Sequence, residues 1–287
     1  MKQDSNFIYE LPQAEQQILN EHTPLSPQMI FKIIRKEGEE ELQRPFTALA
    51  FSALAAGIFV SFSFLFRSIF HMYTENSPIE PMISSIGYTA GFLIVILGRM
   101  QLFTENPITT IIPLLSGWSW KKLLSVIRLW STVFLFNIIG TAIAAAFFAS
   151  KYTLSAPVEN AMYEVASSVM QLNPAENILR GIPAGILIAA IVWISPQAKH
   201  FRFAMIFFFV YFIALGDFTH VVVGSCEMAY EVIKGSADFF TYCFKFLIPT
   251  GAGNIIGGTF IFTLLIYYQV KKELKTAERS QPDILDR

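Results

Sequence analysis

Six uncharged apolar stretches follow one another along this chain, and polar connections separate them. A helix needs about 20 apolar residues to cross the hydrocarbon core of a bilayer. Four stretches approach or exceed that length, whereas the second and fifth are shorter and count as spans only if each is interrupted. The pattern predicts an all-α integral membrane protein with six transmembrane helices, the second and fifth broken. The stretches are Phe46–Phe66, Met82–Gly98, Leu129–Ser150, Gly181–Ala198, Phe203–Gly216 with Phe218–Cys226, and Phe246–Val270.

The composition agrees with a protein whose surface faces membrane lipid. Only 15% of the residues are charged and 53% are hydrophobic, while soluble proteins carry about 25% charged residues. A net charge of −1 gives no bulk attraction to nucleic acid. Cys226 and Cys243 lie in or beside apolar stretches, so we interpret them as small buried hydrophobes and not as a disulfide or metal site. No cofactor is expected.

Basic residues predict the orientation of the spans, because cytoplasmic connections are enriched in Lys and Arg. The connections Trp118–Lys122 and Lys199–Arg202 and the segment after Val270 carry basic side chains. This distribution predicts a multi-pass protein of the inner or plasma membrane with both termini in the cytoplasm. The opposite connections carry carboxylates, namely Glu75, Glu80, Glu159, Glu164, Glu176, Glu227, Glu231 and Asp238.

Polar regions flank the predicted membrane domain. We expect a cytoplasmic N-terminal region (1–45) without a cleaved signal peptide, a six-span channel or transporter domain (46–270) and a polar cytoplasmic tail (271–287). Within the first region, Pro27–Arg44 has apolar and basic residues at helical spacing. This amphipathic helix either lies on the inner leaflet or closes the cytoplasmic mouth of a pore.

The two halves of the apolar pattern resemble each other. The second stretch is followed by Phe103-Thr104 and the first part of the fifth by Phe218-Thr219, and each half later contains Asn-Ile-Ile-Gly, beginning at Asn137 and Asn254. The separations agree, at 34 residues (137 − 103) and 36 residues (254 − 218). Because each half holds three spans, the second half enters from the opposite face. We therefore predict two inverted three-helix repeats, a pattern of solute-conducting membrane folds.

Local residues account for the two predicted breaks. Asn106-Pro107 favours the start of a short helix over Pro107–Leu115. In the fifth stretch, glycine pairs bracket a non-helical segment, and a second short helix is expected from Ser225 to Lys234. Non-helical backbone at membrane depth persists only where protein or a water-filled cavity covers it. The positive ends of the short helices would favour an anion near the midplane.

Polar residues at the breaks are the candidate site. His220 is the only histidine inside an apolar stretch, and ionisable groups at that depth are usually functional. Asp217, three residues earlier, either orients the imidazole or the loop, or caps loop backbone. Thr104 and Thr219 either donate to a solute or His220, or cap freed backbone.

Two amides and four glycines lie inside the spans. Asn137 and Asn254 either hold a break by hydrogen bonds or line the pore. Gly181, Gly185, Gly253 and Gly257 form G-x-x-x-G pairs, which predict close helix packing.

Four groups of residues resemble the formate/nitrite transporter family, over roughly residues 45–270. They are Leu102-Phe103-Thr104, Phe218-x-His220, Gly253-Asn254-Ile255-Ile256-Gly257-Gly258, and Leu179-Arg180-Gly181-Ile182 through Trp193.

The resemblance implies an aquaporin-like six-helix fold and a homopentamer with one pore in each protomer. It implies passage of small monovalent anions or weak acids such as formate or nitrite, with protonation near a central histidine between apolar constrictions. Thr104 and His220 fall on the family's threonine and histidine. Tyr88 and Phe92 fall at constriction positions, and Leu102 lies close by.

The chain departs from the family pattern at pore positions. Thr219 replaces the usual Glu, Gly185 and Gly224 replace Asn residues, and no Lys lies between Lys151 and Lys199. These departures predict weaker attraction of anions and a divergent branch.

Two other functions compete with anion passage. Asn106-Pro107-Ile108 resembles the Asn-Pro-Ala of aquaporins, which would make the chain a neutral-solute channel, but the fifth break has no Asn-Pro. A non-conducting sensor is the other alternative, since the departures fall on pore residues. An enzyme is not expected, because the spans offer no His-Glu-x-x-His and no Gly-x-Ser-x-Gly.

Overall fold

The structure, a computed structural model, describes residues 23–198 and 200–280, with side chains described as far as Glu273. Throughout this part of the chain the regular structure is helical. Lys199, one of the basic residues used to predict orientation, and the ends of the chain lie outside the described residues.

Six α-helices lie in the described part of the first half, from residue 23 onwards. Ser26 caps the first through its side chain, which accepts from the N–H of Met29, and Pro27 occupies the first helical turn. The helices are α1 (Pro27–Gln43), α2 (Phe46–Val60), α3 (Phe62–Thr74), α4 (Glu80–Leu97), α5 (Asn106–Ser116) and α6 (Trp120–Phe148), with a 3₁₀ turn at Phe103–Glu105.

In the second half a connecting helix, α7, comes first, and the helices after it follow the same order of long and short segments as α2 to α6. Asn173 and Glu176 form a capping box at the start of α8, and Gly235, at φ 82°, ends α10 in the left-handed conformation. The helices are α7 (Ala156–Met170), α8 (Pro174–Ile194), α9 (Arg202–Leu215), α10 (Val221–Lys234), α11 (Phe239–Thr241), α12 (Ile248–Ile255) and α13 (Leu264–Ser280). Two π-helical stretches, Tyr242–Leu247 and Ile256–Thr263, make the last three one continuous span.

Five helical segments among the described residues are long and apolar enough to cross a membrane, and α9 is a shorter apolar helix of 14 residues. The chain is thus a multi-pass, all-α membrane protein, as the apolar pattern predicts. The first span is longer than its uncharged stretch: α2 and α3 together run 29 residues, past Arg67 to Thr74. The last helix also passes the expected boundary at residue 270 and ends at Ser280.

The predicted amphipathic helix forms, and its apolar side packs on protein. Buried Ile30, Phe31 and Ile34 pack against Ile108 and Ile112 of α5 and against Val270. Helix α1 thus covers one end of the bundle beside the first break.

The glycine pairs give close helix packing, as predicted. A Cβ on Gly57 would overlap the main chain of Asn137, and a Cβ on Gly185 would overlap the main chain of Asn254. Small residues therefore let α2 approach α6, and α8 approach α12, until their backbones touch. Both halves place an asparagine at this crossing.

Candidate functional site

Both predicted breaks occur, and they have the same backbone. Helix α4 ends before Gly98-Arg99 and α9 ends before Gly216-Asp217, with positive φ at Arg99 (53°) and Asp217 (49°). After each turn a backbone N–H donates to the carbonyl five residues earlier: Met100 N–H to Val95 O and Phe218 N–H to Ile213 O, both at 3.0 Å. The offset between the halves is 118 residues (217 − 99 and 218 − 100).

The two asparagines hold the breaks in place. Asn137 Oδ1 accepts from the N–H of Phe103 and its Nδ2 donates to Gln101 O, both at 2.9 Å. Asn254 makes the same pair of bonds, also at 2.9 Å, with the N–H of Val221 and with Thr219 O. The amides thus satisfy backbone groups that a broken helix leaves without partners. This geometry favours the loop-holding alternative over pore lining.

These bonds correct the register of the repeat. The sequence match paired Phe103-Thr104 with Phe218-Thr219, but the equivalent asparagine bonds pair Gln101 with Thr219 and Phe103 with Val221. Leu102 is therefore the counterpart of His220. The shared Phe-Thr is three residues out of register, because backbone hydrogen bonds and not side-chain identity define equivalent positions in a break.

The second break is also shorter than predicted. Helix α10 begins at Val221 instead of Ser225, and His220 is its N-cap. The Nδ1 atom of His220 accepts from the N–H of Val223 at 3.4 Å, which supplies the cap that the first helical turn needs. The first short helix similarly begins at Asn106, one residue before the expected start, and ends at Ser116.

His220 from the second break meets Thr104 from the first. The Nε2 atom of His220 lies 2.8 Å from Thr104 Oγ1, and both residues are buried. Because Nδ1 faces a backbone donor, the hydrogen-bond network assigns the neutral-ring proton to Nε2, which then donates to Thr104 Oγ1. The side chains from the two halves are thus joined by one hydrogen bond.

Aromatic and aliphatic side chains surround this pair. The ring of Phe92 packs edge-on against His220 with centroids 4.8 Å apart, and Tyr88 follows at 5.5 Å from Phe92. Phe92 and Leu102 are completely buried. Phe92, Leu102, Thr104 and His220 are all buried, and this largely apolar group of residues is called the waist.

A cavity lies on each side of the waist. The Leu102 cavity, of about 160 Å³, reaches Ile96 and Ile191 near the C-terminal ends of α4 and α8. The His220 cavity, of about 110 Å³, reaches Tyr88 and Arg180 farther towards the N-terminal ends of those helices. The two cavities therefore approach the waist from opposite ends of the bundle.

The other two candidates from the second break, Asp217 and Thr219, line the His220 cavity and bond to protein groups other than the imidazole. Asp217 forms an ion pair with Arg67 at 3.3 Å and makes no hydrogen bond to His220. The hydroxyl of Thr219 donates to Asn177 O at 3.0 Å, so it secures the break against α8. Gly224 faces the ring of Phe246, which fills the space that a side chain there would need.

Sequence reasoning missed several charged residues in the two cavities. Glu227 and Glu231 were grouped with the acids of a connection, but both are buried in α10, and of the two only Glu227 lines a cavity. Glu227 lines the His220 cavity together with Arg67 and Arg180. A carboxylate seven residues after His220, two helical turns along the same face, was the available signal.

The Leu102 cavity has its own charged residues. Glu37 and Glu41 of α1 line it, together with Arg99, Glu105 and Arg202. Arg99 pairs with Glu37 at 3.6 Å, and Glu41 accepts from Gln101 Nε2 at 2.7 Å. Helix α1 is thus bonded to the first break, a contact that periodicity alone does not reveal.

The described residues contain no cluster of three or more histidine, cysteine or acidic side chains able to hold a metal ion. What the site presents is a hydrogen-bonded imidazole and hydroxyl between two polar cavities.

Comparison with known proteins identifies relatives along most of the chain. The formate/nitrite transporter family model matches residues 28–268. The inner membrane protein YfdC of Escherichia coli (strain K12) is 37% identical over 265 residues, which cover 92% of this chain and 86% of YfdC. The formate channel FocA of Haemophilus influenzae is 23% identical over 256 residues, covering 80% of this chain and 88% of FocA.

Solved structures share the fold. A pentameric formate channel with formate bound superposes with a TM-score of 0.65 at 17% identity, covering 83% of this chain and 99% of that one. An FNT family ion channel gives a TM-score of 0.70 at 15% identity, covering 85% and 98%. The matched residues include both broken spans, the waist and both cavities, and the chain belongs to the formate/nitrite transporter family.

Proposed function

We infer that this protein passes small monovalent anions and their weak acids, of the size of formate or nitrite, through a pore in each protomer. The observation that carries this proposal is the His220–Thr104 pair, buried at 2.8 Å between two cavities that open from opposite ends of the bundle. Relatives named as a formate channel and a pentameric formate channel support the same class of solute.

The waist favours a neutral solute over an ion. Moving an ion out of water into a low-dielectric site costs several kcal/mol even after relaxation. Phe92 and Leu102 offer no hydrogen bonds to replace the hydration of the ion, while His220 and Thr104 offer two polar contacts. A weak acid that is protonated beside His220 crosses this section as a small polar molecule.

The short helices contribute to attraction of the anion before it is protonated. Helices α5 and α10 both begin next to the waist, at Asn106 and Val221. A helix N-terminus carries a partial positive charge of about half an elementary charge. These two termini attract the anion and so supply part of what the family's usual Lys and Asn residues, which this chain lacks, would contribute.

The assembly and location follow from the same relatives and from the charge pattern. We propose a homopentamer in the inner membrane with one pore per subunit, in contact with lipid through the exposed apolar faces of the spans. Basic residues at Lys121, Lys122 and Lys271 favour cytoplasmic placement of both termini. An inverted, aquaporin-like arrangement of the halves is consistent with three spans in each half.

Reconstitution into proteoliposomes tests this function. We expect an inward gradient of formate or nitrite to acidify the lumen through the wild-type protein, because anion and proton enter together. Hydrosulfide, acetate and lactate define the size limit, and osmotic swelling measures water passage. His220→Ala should slow the formate signal by about tenfold or more, since it removes a polar partner from the waist.

Two outcomes would contradict the proposal. Equal traces for the wild type and His220→Ala would remove the role of His220. Lumenal pH that responds to none of the five solutes, in vesicles that contain the assembled protein, would favour a non-conducting sensor.

A further inference from the structure

Glu227 is a buried carboxyl group inside the His220 cavity. Its side chain lines the His220 cavity, the residue is only 3% exposed, and its Oε1 atom has no hydrogen-bond partner. Leaving a buried polar atom unpaired is energetically unfavourable. A group held in this way inside a cavity is available to a solute that enters.

The other cavity contains a corresponding group. Glu105 lines the Leu102 cavity, and its Oε1 atom is likewise buried without a partner. Glu105 and Glu227 are not equivalent in the 118-residue register, because the counterpart of Glu105 is Val223 (105 + 118). Each cavity nevertheless contains one buried carboxyl oxygen without a hydrogen-bond partner.

The histidine is less suited to giving a proton away. Its Nε2 atom is bonded to Thr104 and its Nδ1 atom to the N–H of Val223, so both ring nitrogens have partners within the protein. A carboxylic acid, in contrast, exchanges protons readily with a carboxylate or nitrite, because such acids titrate in the same range as Glu.

We propose that Glu227 and Glu105 are the proton-exchanging groups of the pore, one in each cavity. This inference rests on the proposed function and assigns the proton donor that it requires. In the His220 cavity the O–H bond of Glu227 breaks and an O–H bond forms on the anion, which leaves a carboxylate and a neutral acid. The neutral acid crosses the waist, returns its proton to the Glu105 carboxylate and leaves as the anion.

Solvent on each side restores the two groups. Glu227 takes a proton from the solution that its cavity faces, and Glu105 releases one to the opposite solution, so one anion and one proton cross together. The reverse direction uses the same steps in reverse order.

Neighbouring charges fit these roles. Arg67, Arg180, Asp217 and His220 face Glu227 within its cavity, and the two guanidinium groups attract the anion and stabilise the carboxylate that remains. Glu37, Glu41, Arg99 and Arg202 face Glu105. Arg202 has a buried Nε atom without a partner, which is free to bind the released anion.

Conservative substitutions test the proposal in proteoliposomes. We expect Glu227→Gln and Glu105→Gln each to slow formate-driven acidification by about tenfold at neutral pH. This factor is smaller than positioned proton donors usually give, because hydronium from the solution still supplies part of the flux. Glu227→Asp keeps the carboxyl group and should retain most of the rate.

Glu231 provides the matched control. It lies four residues further along α10, is fully buried, has two unpartnered carboxyl oxygens, and does not line the His220 cavity. Glu231→Gln should therefore transport formate at the wild-type rate.

Whether Glu227→Gln slows, speeds or leaves unchanged the transport of formate decides between the possible roles of Glu227. A faster rate in Glu227→Gln would show an ionised carboxylate that repels anions, and an unchanged rate would show a group without function; either overturns the inference. If Glu227→Gln does not assemble, Glu105→Gln carries the same test in the other cavity. A wild type that moves no formate contradicts the proposed function, whereas an active wild type matched by both Gln variants contradicts only this inference.

Discussion

A single amide side chain holds each broken span in position. Asn254 uses its oxygen for the N–H of Val221, and its nitrogen for Thr219 O and Gly181 O, so it links α12, the second break and α8. Asn137 links α6, the first break and α2 in the same way, with its third bond to Ala53 O at 2.7 Å. One polar residue in each half therefore fixes where His220 and Leu102 point.

Replacing such an amide should lower both the stability of the protein and its transport of formate. We expect Asn254→Leu to destabilise the folded protein by about 2–4 kcal/mol, because it leaves three buried backbone groups without partners. Scanning fluorimetry in detergent would record a lower unfolding temperature, and formate transport should fall with it. Asn160→Ala, at an exposed position of α7, should stay within about 0.5 kcal/mol. Wild-type stability in Asn254→Leu would contradict the role of the amide.

The sequence pointed to the central His220 and Thr104 more clearly than to the charged residues of the cavities. A lone histidine and a threonine at interrupted apolar stretches identify His220 and Thr104, because polar groups at that depth need a reason to be there. Glu227 was grouped with the acidic residues of the connection that follows the fifth apolar stretch. Only the packed helix shows that its side chain turns into a cavity.

At the scale of elements, glycine decides which helices touch. Gly185 lies where α8 meets α12, with the main chain of Asn254 in the place of a side chain. This contact also gives a physical reason why the family's usual Asn is absent at this position: in this chain the space is filled by backbone.

A methyl group at this crossing should force the helices apart. We expect Gly185→Ala to cost about 1–3 kcal/mol, because overpacking shifts backbone that cannot move aside, and to slow formate transport by displacing Asn254. Thermal unfolding and lumenal acidification measure the two effects. Gly117→Ala is the matched control, since a Cβ there meets only the flexible end of Lys122. Equal stability of the two variants would mean that α8 and α12 pack less closely than described.

The short helices show how far local signals reach. Asn106-Pro107 and Gly235 predicted the start of α5 to within one residue and the end of α10, since proline and glycine restrict or permit particular backbone angles. The start of α10 was four residues in error. His220 caps that helix with a ring nitrogen. Ser, Thr, Asp and Asn are the residues that predict an N-cap, so a histidine at this position gave no such signal.

At the scale of the whole molecule, many large apolar side chains remain exposed on the spans, Phe51, Phe147 and Leu265 among them. In a membrane these faces contact lipid or neighbouring copies of the chain. The folded protomer by itself contains the waist and both cavities. Assembly is a separate property and needs its own measurement.

Native mass spectrometry of the purified protein in detergent would measure that assembly. Five chains of 32.3 kDa are expected in one complex, as the pentameric formate channel of the same fold suggests. His220→Ala should assemble with the same number of chains, because the histidine is buried inside its own protomer. A monomer or dimer under conditions that preserve transport would contradict the proposed pentamer.

The sequence by itself determined the class of the protein, the number of spans, the two breaks and the central histidine and threonine, because lipid forces long apolar helices and makes each polar exception informative. Only the tertiary structure decided the register between the halves, the partners of Asn137 and Asn254, and the charged residues of the two cavities. Those features depend on which helix faces which, and contacts between residues that are distant along the chain, 33 to 84 positions apart for the two asparagines, leave no periodic trace in the sequence.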